Sequence, residues 1–187
     1  MFKLYYIYQL YKNETISSKY IGQNHYRRYF NFTDNIPDLD KIFENYDVIL
    51  NEELQLFQGV RKFYCDFHIC KNFDELIEII KDIKPEYYNT SIKTINDTTM
   101  FACNLFIMKK EDFFKYCEFM FDILFEFDRR HNFTTDDDLL EYTKKIYNDT
   151  IHIYYQSRIQ AFLSERISNI FFKQYFKKIK QLKNYNK

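Results

Sequence analysis

Tyr20-Ile21-Gly22-Gln23-Asn24-His25-Tyr26-Arg27-Arg28-Tyr29-Phe30 begins as a short apolar pattern, passes a glycine and ends in a basic, aromatic cluster. The opening residues, 20–24, read as a strand. His25, Arg27 and Arg28 would then stand just beyond its carboxyl end, where open α/β sheets bind their ligands. Arginine presents a planar fork that suits phosphate oxygens, and histidine moves protons or donates a hydrogen bond. The cluster therefore fits a pyrophosphate or another anionic leaving group. A second reading stays open at this level: the arginine pair bridges to acids on neighbouring helices, and His25 is a hydrogen-bonding core residue.

Outward from this stretch the chain alternates short apolar runs with longer amphipathic ones. Residues 2–12 read as a buried helix, with an edge strand as the alternative. Pro37 marks a turn into a short helix at 38–45. Tyr46-Asp47-Val48-Ile49-Leu50 is a compact apolar run and reads as a second strand. Helices are expected at 52–69, 73–83 and 85–94, the last opened by Pro85, and residues 94–99 read as a loop. The run 101–108 is a third, buried strand. Residues 111–127 carry apolar side chains at helical spacing and form the strongest helix. Further helices are expected at 136–147 and 157–182. No linker or repeat divides residues 1–187, so a single α/β domain, rich in helix with a small sheet, is expected.

Composition limits the function. The 187 residues carry 27 Lys+Arg and 27 Asp+Glu, a net charge of +0, so no basic excess marks a nucleic-acid binder. With 46% hydrophobic residues and only 2 Gly and 2 Pro, disordered and collagen-like chains are excluded. No apolar run approaches the ~18 residues of a membrane-spanning helix, and the first residues lack a signal-peptide pattern. Cys65, Cys70, Cys103 and Cys117 form no Cys-x-x-Cys pair. They read as buried thiols of a reduced, cytoplasmic protein.

Other clusters are weaker. Asp136-Asp137-Asp138 and Asp38-Leu39-Asp40 both contain Asp-x-Asp, a pattern that holds metals in many sugar transferases. Each stands at the start of a helix, where carboxylates cap and favour the dipole, so neither is a metal-site candidate. Tyr64 and His68 are four apart on a helix and share a face, lining a cleft or forming a half-buried aromatic pair. Arg158, Glu165 and Arg166 on the last long helix read first as an internal ion-pair group. Residues 173–187 interleave lysines with Phe, Tyr and Ile. They read as a basic C-terminal helix or tail that either docks on the domain or touches an anionic membrane.

Several segments, in order, resemble one bacterial family, the domain of unknown function 4422, described as capsular and exopolysaccharide glycosyltransferases. They are Leu10 to Asn13, the Tyr20 to Phe30 stretch with its His-Tyr-Arg-Arg-Tyr-Phe, Tyr46 to Leu50, the Tyr64/His68 pair, Pro85 to Tyr87, Cys103 to Lys110, Tyr116 to Leu124 and Arg158 to Arg166. The resemblance spans roughly 4–175. It implies a GT-A-like, Rossmann-like glycosyltransferase fold. The implied reaction moves a sugar from a nucleotide-sugar donor to a glycan or lipid-linked acceptor in capsular, exopolysaccharide or lipopolysaccharide assembly. Arg27 and Arg28 would hold the donor pyrophosphate, with His25 as a polar contact or proton handler and Asn104 bonded to the sugar. Tyr26, Tyr64, His68 and Glu165 would be secondary cleft residues. No cofactor beyond the donor is implied, and the need for a divalent metal stays open. The expected location is the cytoplasm, with peripheral contact to the inner membrane through 173–187.

The family pattern departs here in a few places. Ala161 and Leu105 replace a glycine and a methionine, and the chain has 0 Trp. The family also begins upstream, with a strand carrying Thr-His-Lys. An N-terminally truncated fold is therefore the expectation, and a non-catalytic remnant, or half of a split enzyme that acts by association, is the rival reading.

Overall fold

A computed structural model describes residues 2–25, 27–32, 37–148 and 151–186. Among these the chain runs α1 (Phe2–Lys12), β1 (Tyr20–Gln23), β2 (Arg28–Phe30), α2 (Leu39–Phe43), β3 (Val48–Asn51), β4 (Leu54–Gln55), α3 (Val60–Phe67), α4 (Cys70–Ile83) and α5 (Pro85–Asn96). It continues through β5 (Thr99–Met100), β6 (Phe106–Lys109), α6 (Lys110–His131), α7 (Asp136–Ile146), α8 (Ile153–Gln156), α9 (Ile159–Tyr175), β7 (Ile179–Leu182) and β8 (Asn184–Asn186).

The central sheet has the order β1-β6-β3-β7. β6 lies antiparallel to β1 and β3, and β7 is parallel to β3. Successive residues of a strand face opposite sides, so an unbroken apolar run must be covered on both. Val48, Leu50, Phe106 and Met108 enter the large core with α4, α6 and α9. Ile49 and Ile107 point the other way, to a smaller cluster with Phe30, Phe43 and Leu105. The sheet is thus sandwiched, with the long helices on one face and α2 and β2 on the other.

Helix ends follow local chemistry. Pro85 stands at the first turn of α5, and Asp38 caps α2 through the Lys41 N–H at 3.3 Å. α6 ends in a left-handed Asn132 (φ 55°). Phe113, Cys117, Met120 and Leu124 of α6 are buried as its spacing predicts. Phe125 stays 45% exposed, set edge-on to Tyr5 with ring centres 5.3 Å apart.

The Asp136–Asp138 run is a helix start, as its sequence context predicts. Thr135 accepts from the Asp138 N–H, and Asp138 accepts from the backbone N–H of Thr134 (2.7 Å) and Thr135 (2.8 Å). These N–H donors hold the Asp138 carboxyl down to about 2. A folded-state value below the unfolded one means the cap stabilises fully above the unfolded carboxylate range and is lost as pH falls toward 2. The expected result is that Asp138→Asn shows less additional acid destabilisation below pH 4 than the parent, read by circular dichroism across pH 2–7.

Several expectations are corrected. Residues 52–59 are not helical: Leu54 and Gln55 pair with Met100 and Thr99, and α3 begins only at Val60; the loop expected at 94–99 narrows to 97–98, because α5 runs to Asn96 and Thr99 enters β5. The third strand begins at Phe106 rather than 101, because residues 101–105 form a turn. The chain leaves the last helix at Tyr175, so the basic helix expected through 182 and along 173–187 does not continue over the described residues 176–186. β3 has an open edge, and the Lys177 and Lys178 N–H groups bond the Asp47 carboxylate (2.9 Å each), steering the tail into it. Ile179 then packs on the large core and Leu182 on the small one, the alternation of a strand. Cys65 and Cys70 are not free thiols but a disulfide across the α3–α4 corner, while Cys103 and Cys117 are free. No helix among the described residues is long and apolar enough to cross a membrane.

Candidate active site

β1 and β6 are antiparallel, with Gln23 opposite Phe106. The carboxyl end of β1 therefore meets the entry to β6. This pairing brings the His25–Arg28 stretch, distant in sequence, against the turn at Cys103 and Asn104. The two ends border a cleft of 1410 Å³, lined elsewhere by Leu4 and Ile7 of α1, by the end of α3 with His68, and by the first half of α9.

The basic stretch is held by its own backbone and by the chain's tail. The Arg28 N–H donates to the His25 carbonyl at 3.1 Å, and β2 pairs with β8, Arg28 opposite Asn186. Arg28 Nη1 also donates to Cys103 Sγ. Burial, then the Arg28 charge, pushes the His25 imidazole below its usual value, so His25 is a neutral hydrogen-bonding group at neutral pH. Burial, then Glu165, raises the Cys103 thiol, which therefore stays protonated.

Cys103 (φ 69°) and Asn104 (φ 50°) are consecutive non-glycine residues in the left-handed region. Asparagine tolerates that conformation and cysteine pays for it, so surrounding structure must hold the turn. Asn169 of α9 does so, accepting from the Phe101 N–H (2.7 Å) and donating to the Phe101 carbonyl (2.8 Å). Asn104 Nδ2 donates to Ser164 Oγ at 3.2 Å, and its Oδ1 is a buried acceptor with no protein partner.

His68 lies at the C-terminal end of α3. Its ring stacks on Phe162 with centres 3.8 Å apart. Burial, then the Arg166 charge, drives its imidazole down to about 4, so it too is neutral at pH 7. Arg166 is almost wholly buried, 4% exposed, with its guanidinium 5.1 Å over the Tyr64 ring and Nη1 3.0 Å from Glu165 Oε2. Arg158 lies over Tyr155 and Phe162, 6.0 Å from each ring centre.

Of the candidates read from sequence, His25, Arg27, Arg28, His68, Asn104 and Glu165 all border this one cleft. Tyr64 does not. It is 1% exposed and packs on Phe73 in the core beneath, because it lies one turn deeper along α3 than His68. Tyr26 lies outside the described residues. Arg158 and Arg166, read from sequence as ion-pair partners, border the cleft as well. The Glu165–Arg166 pair does form, but nothing local in the sequence says that its helix borders the same cleft as Arg28. Among the described residues no group of three or more His, Cys, Asp or Glu is placed to hold a metal ion.

The scaffold is helix-rich α/β, with a cationic cleft at the carboxyl end of β1. It superposes on the apo structure of WbbM, a bifunctional glycosyltransferase, with a TM-score of 0.71 at 20% sequence identity. The match covers 96% of this chain but 35% of that one, so this chain spans about a third of its neighbour's length. The chain belongs to the family described as domain of unknown function (DUF4422), whose profile matches residues 3–178. No curated protein matches it.

Proposed function

We propose that this chain is a glycosyltransferase domain that binds a nucleotide-sugar donor in the cleft between β1, β6 and α9 and passes the sugar to a glycan or lipid-linked acceptor. One observation carries the reading: Arg27, Arg28, Arg158 and Arg166 border the cleft, and Glu165 is the one carboxylate among the described residues that does. Such an excess of guanidinium suits a diphosphate, which arginine meets with paired, charge-assisted hydrogen bonds. Arg27 and Arg28 take the donor's diphosphate and stabilise its charge as it leaves. Neutral His25 hydrogen-bonds beside them. The unpartnered Asn104 Oδ1 accepts from a sugar hydroxyl, so Asn104 reads the sugar as Ser164 fixes its amide. A place in surface-polysaccharide assembly and a cytoplasmic site of action belong to the same proposal. The fold shared with a bifunctional glycosyltransferase supports it.

The test is calorimetric titration of the purified chain with UDP, GDP and CMP, followed by incubation with the corresponding sugar nucleotides and mass spectrometry of the products. Saturable binding of one nucleotide, weakening as salt rises, is expected. Absence of binding at low salt would overturn the proposal and favour a domain that works by association.

A further inference from the structure

Among the described residues that border the cleft, a single acid faces several cations, and its place is specific. Glu165 lies on α9, beside Ser164, which is bonded to Asn104, and next to Arg166. Its side chain is 28% exposed, so one part is anchored and another is open. The anchor is the bond from Arg166 Nη1 at 3.0 Å, and Arg166 is itself pinned by its bond to the Phe162 carbonyl at 3.3 Å and by the Tyr64 ring. Glu165 borders the same cleft as His25 at the β1 end and Cys103 of the 103–104 turn.

Resting on the donor-binding reading above, we infer that Glu165 is the base that takes the proton from the acceptor hydroxyl, and that Arg166 is its positioning residue. The atoms balance in one displacement. The acceptor O–H breaks, and its proton passes to the free Glu165 oxygen. The acceptor oxygen bonds to the anomeric carbon. The bond from that carbon to the donor phosphate breaks, and its electron pair leaves on the diphosphate facing Arg27 and Arg28. A single displacement inverts the anomeric configuration. A positioned base contributes roughly 100-fold or more to such a step.

A carboxylate beside a diphosphate opposes its binding, whereas a carboxylate that only balances Arg166 supports the fold around it. The two roles therefore separate. The experiment measures UDP affinity by calorimetry and UDP release from UDP-sugars, with water or a supplied glycan as acceptor, in the parent, Glu165→Gln and Glu165→Asp. Turnover in Glu165→Gln is expected to fall about 100-fold or more while UDP binds as tightly as before or tighter. Glu165→Asp is expected to retain part of the rate, and the product is expected to have inverted configuration by NMR. Glu165→Gln turning over within threefold of the parent overturns the inference and leaves the donor site standing. So does a product of retained configuration, which is readable on the parent alone should Glu165→Gln fail to fold. A parent that binds UDP yet releases none from any UDP-sugar also overturns it. A parent that binds no nucleotide removes the donor-binding reading itself.

Discussion

Replacing Arg28 with alanine is expected to weaken nucleoside diphosphate binding about 10- to 100-fold, the loss of one charge-assisted contact of roughly 1.5–3 kcal/mol. The change removes the Arg28 Nη1 bond to Cys103 Sγ but no main-chain bond. The bond from the Arg28 N–H to the His25 carbonyl and the β2–β8 pairing use main-chain atoms, so the segment keeps its place. Arg28→Lys retains the charge but not the fork, and an intermediate loss is expected. Arg129 is the control: its guanidinium pairs with Glu126 at 2.6 Å on the exposed side of α6, and Arg129→Ala is expected to leave affinity unchanged. Calorimetric titration with UDP reads all three. Equal affinity in Arg28→Ala and the parent would mean that the Arg27–Arg28 fork does not meet phosphate.

Asn169→Leu is expected to produce the largest loss of stability. Asn169 is fully buried and meets both backbone polar groups of Phe101, and it donates a further bond to the Glu165 carbonyl at 2.7 Å. Leucine fits a core but offers no hydrogen bond. The Phe101 N–H and carbonyl would be left unpaired, at roughly 1–3 kcal/mol each, for a total of about 2–6 kcal/mol. The same change releases the support of the left-handed Cys103–Asn104 turn, so ligand affinity is expected to fall with stability. Urea denaturation gives the first quantity and UDP titration the second. A stability loss under about 1 kcal/mol would show that the turn is held by other contacts.

How much of this was legible beforehand differs by element. The unbroken run Val48-Ile49-Leu50 reads as a buried strand because each residue must be covered whichever face it takes, and all three are buried. The strongest helix, α6, follows its own periodicity. The Asp136–Asp138 run reads as a cap because Thr135 precedes it and an apolar run follows, and both halves of the box are intrachain bonds over three residues. The candidate site is legible at the β1 end, where a glycine-bearing strand runs into two arginines. It is not legible at Arg158 and Arg166, since a basic residue in a helix looks the same whether it meets solvent, an acid or a cleft.

The sequence by itself determined what depends on near neighbours: the strand cores, the helix caps, the basic stretch at 25–28 and the kinship that its ordered motifs carry. Only the tertiary structure decided which distant segments share a surface. It turned a lysine-rich tail into β7 and β8, because an open strand edge and the Asp47 carboxylate outweigh the local preference for helix. It set Tyr64 under the cleft and His68 at its rim. It brought Glu165 to the same cleft as Arg28 through the pairing of β1 with β6 and the bonds of Asn169 to Phe101. Those contacts join residues far apart in the chain, and the free energy that selects them comes from burial and pairing across the whole domain.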